Sequence, residues 1–347
     1  MAVSRSALTY VGSNLHRPEC VLATADGRLH VSDWRGGVTV IGPDGHQDTV
    51  IARDHQILRP NGIALDQDGS YLLAHLGATA GGVFRLAPDG RSQCLLAAVD
   101  DVPLPPANFP LRDHQGRLWV TVSTRTIPRA DAYRPDTDDG FIVCVDDRGA
   151  RIAVDNLGYT NECWVDPTGT TLFVNETFAR RLTRFTIRPD GTLTDRSTLA
   201  TFGPGTFPDG LAVDADGWFW ITSIVNNQVI RVAPDGRRQH VVFEDADPDH
   251  VAWVEDAFVA GTMGRPHLDT AGTSRAANIS SLAFGDPHCG VAYLGCLLGR
   301  SIATLSVDVA GHPPVHWSVT RGVGADRLSR SINTPVEREV RYAGPVL

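Results

Sequence analysis

The chain has 347 residues, a formal net charge of −9, 34 glycines and 22 prolines, with 42% hydrophobic and 20% charged residues. This composition is typical of a turn-rich globular protein with a sizeable core, and it excludes disordered and coiled-coil chains. The acidic balance argues against nucleic acid or a membrane surface as a partner, so we expect a small-molecule substrate. All 31 basic residues are arginine, which excludes chemistry that needs a lysine Schiff base.

The sequence contains no apolar stretch long enough to span a membrane, and its first residues lack the apolar core of a secretion signal. We therefore expect a cytoplasmic protein. The six cysteines are scattered without a C-x-x-C pair, so neither a zinc site nor a disulfide framework is indicated. The oligomeric state is left open.

One pattern recurs along the chain: an apolar segment, a turn resembling Asp-x-x-Gly, a second apolar segment, and a third that ends near Pro-Asp-Gly. In chain order the five plain copies read TADGRLHVSD at 24–33, DQDGSYLLAH at 66–75, DHQGRLWVTV at 113–122, DPTGTTLFVN at 166–175 and DADGWFWITS at 214–223. Their turn glycines recur every 42 to 53 residues, near the length of a four-stranded propeller blade. Short apolar runs bounded by Gly, Pro and Asp are typical of strands.

A sixth, degenerate copy at 281–296, followed by IATLSVDVAG at 302–311, predicts an all-β, six-bladed propeller over residues 1–317. Either the N-terminal ALTYV or the C-terminal VEREVRY supplies the strand that closes the ring. Residues 247–277 interrupt the pattern before the last blade, and we interpret them as a lid-like insert. Within them PDHVAWVEDAFVAGTM predicts a short helix with Val251, Val254 and Phe258 on one face. Residues 318–347 form a tail with no assigned role.

A polar residue stands eight positions before each turn glycine, where strand chemistry alone favours an apolar one. The five residues are Glu19, Asn61, Asn108, Asn161 and Asp209. In a propeller each innermost strand begins at the central channel, so one repeated offset places these side chains around one channel mouth. In the sixth unit the loosely aligned counterpart is Asn278. Asn61 fits the alternative of a simple strand cap best.

Two carboxylates and several amide oxygens are ligands that hard cations prefer, so this ring predicts one bound divalent cation. Calcium is the expected ion, with magnesium, manganese, iron(II) and zinc as alternatives; the absence of Cys and His from the set disfavours zinc. His75 ends a second strand on the ring side and is a candidate substrate contact. The long segment 123–140 and the insert 247–277, with His250 and His267, lie on that side as well.

Several segments resemble the senescence marker protein/gluconolactonase (regucalcin-like) family: RPNGIALDQDG, FPDGLAVDADGWFWIT, NISSLAFGDP and the repeated P-D-G turns. The resemblance covers residues 10–317 and implies a six-bladed propeller with a divalent metal in its channel, and lactone hydrolysis. The metal ligands it implies by motif are Glu19, Asn161 and Asp209, with Asn108 at a position that contacts substrate or metal. This chain departs from the family motifs at Phe109 and Glu162, which alters the expected substrate pocket.

The leading functional hypothesis is metal-assisted hydrolysis of a lactone, with Asp209 as both a metal ligand and the base that takes a proton from the attacking water. The expected substrate contacts are Asn108, Asn61, His75 and Glu162. Two alternatives stay open. One is organophosphate hydrolysis, or an isomerase or lyase step, on the same scaffold; the other is a non-catalytic propeller that binds a small molecule or calcium.

Overall fold

The computed structural model describes residues 8–53 and 57–320, which form six four-stranded antiparallel sheets arranged as propeller blades. The predicted all-β, six-bladed fold is confirmed. Strand β1 (Thr9–Val11) precedes the first blade. Blade one contains β2 (Val21–Ala23), β3 (Leu29–Asp33), β4 (Gly37–Ile41) and β5 (Gln47–Ile51). Blade two contains β6 (Pro60–Leu65), β7 (Tyr71–His75), β8 (Val83–Leu86) and β9 (Ser92–Leu96), followed by a small hairpin of β10 (Ala98–Val99) and β11 (Val102–Pro103). Blade three contains β12 (Phe109–Arg112), β13 (Leu118–Val122), β14 (Gly140–Asp146) and β15 (Gly149–Leu157).

The remaining blades follow the same order from the channel outward. Blade four contains β16 (Thr160–Val165), β17 (Thr171–Glu176), β18 (Arg181–Ile187) and β19 (Leu193–Thr201). Blade five contains β20 (Thr206–Val213), β21 (Phe219–Val225), β22 (Gln228–Val232) and β23 (Gln239–Glu244). Blade six contains β24 (Ile279–Gly285), β25 (Val291–Cys296) and β26 (Ile302–Ser306). Strand β1 is the outermost strand of the sixth blade and pairs with β26, with Thr9 opposite Thr304. The N-terminal candidate therefore takes the outer position of this sheet; VEREVRY lies outside the described residues.

Tight turns join the first and second strands of the five plain blades. Left-handed φ angles of 71° to 79° occur at their glycines: Gly27, Gly69, Gly116, Gly169 and Gly217. A side chain at such a position costs free energy, which explains the repeated glycine. Two turns begin with a buried aspartate that accepts an indole N–H: Asp113 from Trp119 at 2.7 Å and Asp214 from Trp220 at 2.8 Å. We call this end of the channel the turn side and the opposite end the ring side.

Two inserts cover part of the ring side. In the segment 247–277 lie α1 (Pro248–Val259) and α2 (Arg265–Leu268), so the predicted helix is confirmed. Asp247 caps α1 by accepting the N–H groups of Asp249 and His250 at 3.0 and 3.1 Å. The buried Val254 and Phe258 of α1 belong to an apolar cluster that includes Phe178 and Phe207 of neighbouring blades and Tyr133 of the other insert, 123–140. Whether residues 247–277 move as a lid stays a prediction.

On the turn side, residues 307–320 cross the channel; we call this segment the strap. Its backbone meets the turn of blade five, where His312 N–H donates to the Val213 carbonyl at 2.8 Å. It also meets the turn of blade one, where Ala25 N–H donates to the Trp317 carbonyl at 2.8 Å. Val319 joins the main apolar core. Of the predicted tail 318–347, residues 321–347 lie outside the described part. No helix in the described part of the chain has the length and apolarity needed to cross a membrane.

Candidate metal centre

The starts of the innermost strands converge on one small cavity at the ring side. Its volume is about 10 Å³, and it is lined by Glu19, Cys20, Asn61, Gly62, Asn108, Phe109, Asn161, Glu162, Asp209 and Ser280. A space of this size holds one ion or one water molecule. The structure thus brings six of the seven predicted site residues to one cavity. Their roles stay predictions.

Three amide side chains around this cavity are anchored through their nitrogen atoms. Asn161 Nδ2 donates to Thr177 Oγ1 at 3.1 Å, and Asn61 Nδ2 donates to the Asn108 carbonyl at 3.3 Å. Asn108 Nδ2 contacts Ser123 Oγ at 2.9 Å. When an amide nitrogen is bound to the protein in this way, its oxygen is left to face the cavity.

The partner atoms fix this orientation for two of the three amides. A carbonyl only accepts, so the group of Asn61 that contacts the Asn108 carbonyl must be the NH₂ group. Thr177 donates its hydroxyl hydrogen to the Pro208 carbonyl at 2.8 Å, so its oxygen is left to accept from Asn161. At Asn108, Oδ1 is buried and has no hydrogen-bond partner among the described residues. A buried amide oxygen without a donor is a ready ligand for a cation.

Three carboxyl groups approach the same cavity. Burial raises the pKa of the Asp209 carboxyl well above its ordinary value, and the nearby Glu19 and Glu162 add to this effect. Burial also raises the pKa of Glu162 to about 8. The hydrogen bond that Glu162 Oε2 accepts from the Leu211 N–H at 2.9 Å lowers this pKa but does not offset the burial. In a site shielded from water, neighbouring negative charges disfavour ionisation of each carboxyl group, and a bound cation would stabilise the ionised forms.

Two guanidinium groups lie next to the carboxyl groups. Arg17 Nε donates to Glu19 Oε2 at 2.8 Å, and Arg129 Nη2 donates to Ser123 Oγ at 3.0 Å. Both arginines act to lower the pKa of Asp209, although burial outweighs them. Arg129 Nε is buried without a hydrogen-bond partner in the described part of the chain. Arg129 therefore holds one N–H group that a bound anion can use.

The donor set decides which ions fit. Although Glu19, Glu162 and Asp209 all line this cavity, no three His, Cys, Asp or Glu side chains within residues 8–53 and 57–320 are placed to hold a metal by themselves. A metal in this cavity would depend on the carboxylates of Glu19 and Asp209 together with amide oxygens. Calcium and magnesium accept such all-oxygen sets, whereas zinc prefers nitrogen and sulfur. The residues present fit a hard divalent cation.

His75 is the predicted site residue that does not line the cavity. Its Nδ1 accepts the N–H of Arg59 at 2.9 Å, and its ring meets Phe84 edge-on. Burial, and secondarily the charge of Arg59, lowers its pKa. In this position the imidazole supports the chain entering β6, and the role predicted for it in substrate binding stays a prediction.

Residues 18–254 match the family described as SMP-30/Gluconolactonase/LRE-like region. The chain belongs to this family. Among solved structures it is similar to a gluconolactonase from Xanthomonas campestris, with 21% identity and a TM-score of 0.63 over 86% of this chain and 89% of that one. It is also similar to a calcium-binding protein, regucalcin, from Agrobacterium tumefaciens, with 16% identity and a TM-score of 0.62 over 87% and 96% of the two chains. At these identities the likeness shows the shared propeller fold.

The structure corrects the prediction for the sixth blade of this SMP-30/gluconolactonase-like propeller. Asn278 does not line the cavity; its Nδ2 donates to the carbonyl groups of Leu268 and Thr270 at 3.1 and 3.2 Å, so it ties the insert to the blade. The turn of this blade places Cys289 at a φ of 54°, where the other blades have glycine. Counting eight residues back from it reaches Ser281, next to Ser280, which lines the cavity.

Sequence reasoning missed the residues that support the ring. Thr177 bridges two neighbouring blades, because it contacts both Asn161 and the Pro208 carbonyl. Arg17 lies two residues before Glu19, and Arg129 lies in the segment 123–140, which the sequence pattern places on the ring side. No spacing marks these residues, since their contacts arise only when separate blades meet.

Proposed function

We propose that the protein is a divalent-metal-dependent hydrolase that opens a lactone at the ring cavity. Membership of the SMP-30/gluconolactonase-like family supports a lactonase. The observation that carries the proposal is the buried Asn108 Oδ1 without a partner, beside the carboxyl groups of Glu19 and Asp209. Calcium is the proposed ion. Glu19, Asn161 and Asp209 would hold it, with Asn108 as a further oxygen ligand or a substrate contact.

A divalent cation bound there would polarise the lactone carbonyl and stabilise the negative charge that develops on its oxygen. Asp209 accepts one proton from the attacking water, whose oxygen forms a bond to the carbonyl carbon. The ring C–O bond then breaks, and the leaving alkoxide takes that proton back, so the product is a hydroxy acid. The unpaired Nε–H group of Arg129 can bind the carboxylate of this product.

Asp209→Asn separates the catalytic role of this residue from its ligand role. We expect turnover of a lactone to fall by at least about 100-fold, since general-base contributions are typically of this size, while calcium affinity measured by calorimetry falls less. Asp216→Asn is the matched control, because Asp216 is exposed at the turn side and pairs with Arg231. Equal losses of turnover and calcium affinity in Asp209→Asn would assign Asp209 a ligand role alone.

A second candidate is a non-catalytic calcium site. It is favoured by the small volume of the cavity, about 10 Å³, which is enough for one ion. The same calcium titration distinguishes the two functions when it is combined with lactone turnover. Calcium binding without turnover of any lactone would favour this second candidate.

A further inference from the structure

A second, larger cavity lies inside the channel, between the ring and the strap. Its volume is about 120 Å³. Most of the wall is apolar and comes from the innermost strands of several blades, including Leu22, Ile63, Leu211 and Leu282. Arg112, Asp113 and Glu162 line it as well. We call this space the lower chamber. The ring cavity contains none of these four apolar side chains, so the two spaces differ in chemistry.

The ceiling of the lower chamber is the floor of the ring cavity. Cys20, Phe109 and Glu162 line both spaces. The lower chamber and the ring cavity are therefore neighbouring spaces separated by these three side chains.

The floor of the lower chamber is the strap, through residues 312–316. One polar atom on this floor lacks a partner: Nε2 of His316 is shielded from solvent and has no hydrogen-bond partner among the described residues, although the residue as a whole is half-buried. Burial lowers the pKa of His316 to about 4, while the nearby Ala23 carbonyl opposes the shift. The imidazole is thus neutral near pH 7. Because the carbonyl only accepts, the ring proton belongs on Nδ1, and Nε2 is left as an acceptor.

An open cleft adjoins the lower chamber beside the strap. The strap is tied to blades five, one and two, the last through Gln67 Nε2 and the Val315 carbonyl at 3.3 Å. Next to Val315, this cleft of about 520 Å³ lies between the turns of blades two and three. Five residues line both the cleft and the lower chamber: Leu65, Arg112, Asp113, His114 and Val315. The cleft and the lower chamber therefore adjoin each other on the turn side.

We propose that the lower chamber is a second binding site, for a neutral six-membered-ring molecule that carries one hydroxyl donor, as phenol does. An apolar cavity of about 150 Å³ in another protein binds benzene, so about 120 Å³ suits a single ring. The hydroxyl group would donate to His316 Nε2 and satisfy the one unpaired acceptor on the floor. This site is independent of the proposed lactonase chemistry.

The test measures binding of phenol and toluene to the metal-free full-length protein, by calorimetry and by ligand-observed NMR. We expect saturable 1:1 binding of both, with phenol about 5- to 10-fold tighter, the effect of one net hydrogen bond. His316→Phe should remove this preference and keep toluene binding. His312→Phe is the matched control on the same strap, since Nδ1 of His312 already contacts the Pro313 carbonyl at 3.0 Å; it should keep the preference.

Cys163→Leu gives a second test if His316→Phe fails to fold. Cys163 is buried and lines the lower chamber, and the larger side chain fills part of it. Affinity for phenol should fall at least tenfold. Failure of wild-type protein to bind either compound would overturn the proposal. So would phenol binding that neither His316→Phe nor Cys163→Leu changes, or a preference lost in His312→Phe instead of His316→Phe.

Discussion

Thr177→Val is expected to weaken metal binding although Thr177 is not a ligand. Valine has the shape of threonine but lacks the hydroxyl group. Asn161 Nδ2 then loses its acceptor at 3.1 Å, and the Pro208 carbonyl loses its donor at 2.8 Å. Both groups stay buried, so the amide of Asn161 is free to turn its NH₂ group toward the cavity.

The magnitude follows from these two contacts. Each lost hydrogen bond costs about 1 kcal/mol and each buried group left unpaired costs about 1–3 kcal/mol; allowing for partial relaxation, the free energy of unfolding should fall by about 2–4 kcal/mol. Loss of a residue that orients a metal ligand typically lowers metal affinity by about 10- to 100-fold. Calcium affinity of metal-stripped protein, measured by calorimetry, should fall by that factor.

Thr39→Val provides the matched control. Thr39 is fully buried in blade one, and its Oγ1 contacts Asp33 Oδ2 at 2.7 Å and Thr49 Oγ1 at 3.0 Å. It touches no ring residue, so this variant should lose stability and keep calcium affinity. The reasoning is refuted if Thr177→Val binds calcium as tightly as wild type, or if Thr39→Val weakens calcium binding to the same extent.

Three further predictions concern the ring, its strands and the thiols. In metal-free protein the pKa of Glu162 is about 8 rather than 4.5, so the folded state keeps a proton that the unfolded chain releases; the free energy of unfolding should fall by roughly 4 kcal/mol as pH rises from 4.5 to 8. In Glu162→Gln the free energy of unfolding, measured with urea, should depend less steeply on pH. An unchanged dependence on pH would mean that the Glu162 carboxyl is hydrated in the folded protein. In Gly62→Ala the new methyl would lie 2.9 Å from the Asn108 carbonyl oxygen, so we expect a clear loss of thermal stability. Gly203→Ala is the control and should cause no loss, because nothing lies within 4 Å of a methyl group there. Equal midpoints of thermal unfolding for the two variants would contradict the close approach at Gly62. Of the six cysteines, only Cys94 is exposed, so a thiol reagent should modify one site quickly in the folded protein; fast reaction of a second thiol would show that the core opens.

The propeller is predictable from the sequence because five of its six turns between first and second strands use the same residue type, glycine. A left-handed φ at Gly27, Gly69 and the turns of the next three blades favours glycine, and the glycine marks the register of the strands on both sides. That register also placed Glu19, Asn161 and Asp209 at one channel mouth, where the structure has them.

The sixth blade shows where this reasoning fails. Its turn uses Cys289 in place of glycine, so the usual marker is missing and the count led to Asn278. The sequence also leaves undecided which segment closes the propeller, because ALTYV and VEREVRY are equally suited to strand pairing. The strap was not predicted as a distinct element, since Pro313, Pro314 and their neighbours follow no strand period.

The supporting contacts of the ring depend on the meeting of blades that are distant in sequence. Thr177 reaches Pro208 of the next blade, and Arg129 approaches Asp209 from an insert in the third blade. Hydrogen-bond direction at Asn108 is likewise a property of the assembled channel. No local pattern records such contacts, so they become visible only in the structure.

The central claim is tested most directly by ring opening of a panel of aldonolactones and simple lactones with metal-stripped protein. Each lactone is followed by acid release, with and without calcium, magnesium, manganese or iron(II), and the spontaneous rate is subtracted. Equilibrium dialysis on the same samples gives the number of ions bound. The account predicts one bound ion per chain and turnover of at least one lactone that requires it. Binding of the ion with no lactone opened would contradict the account.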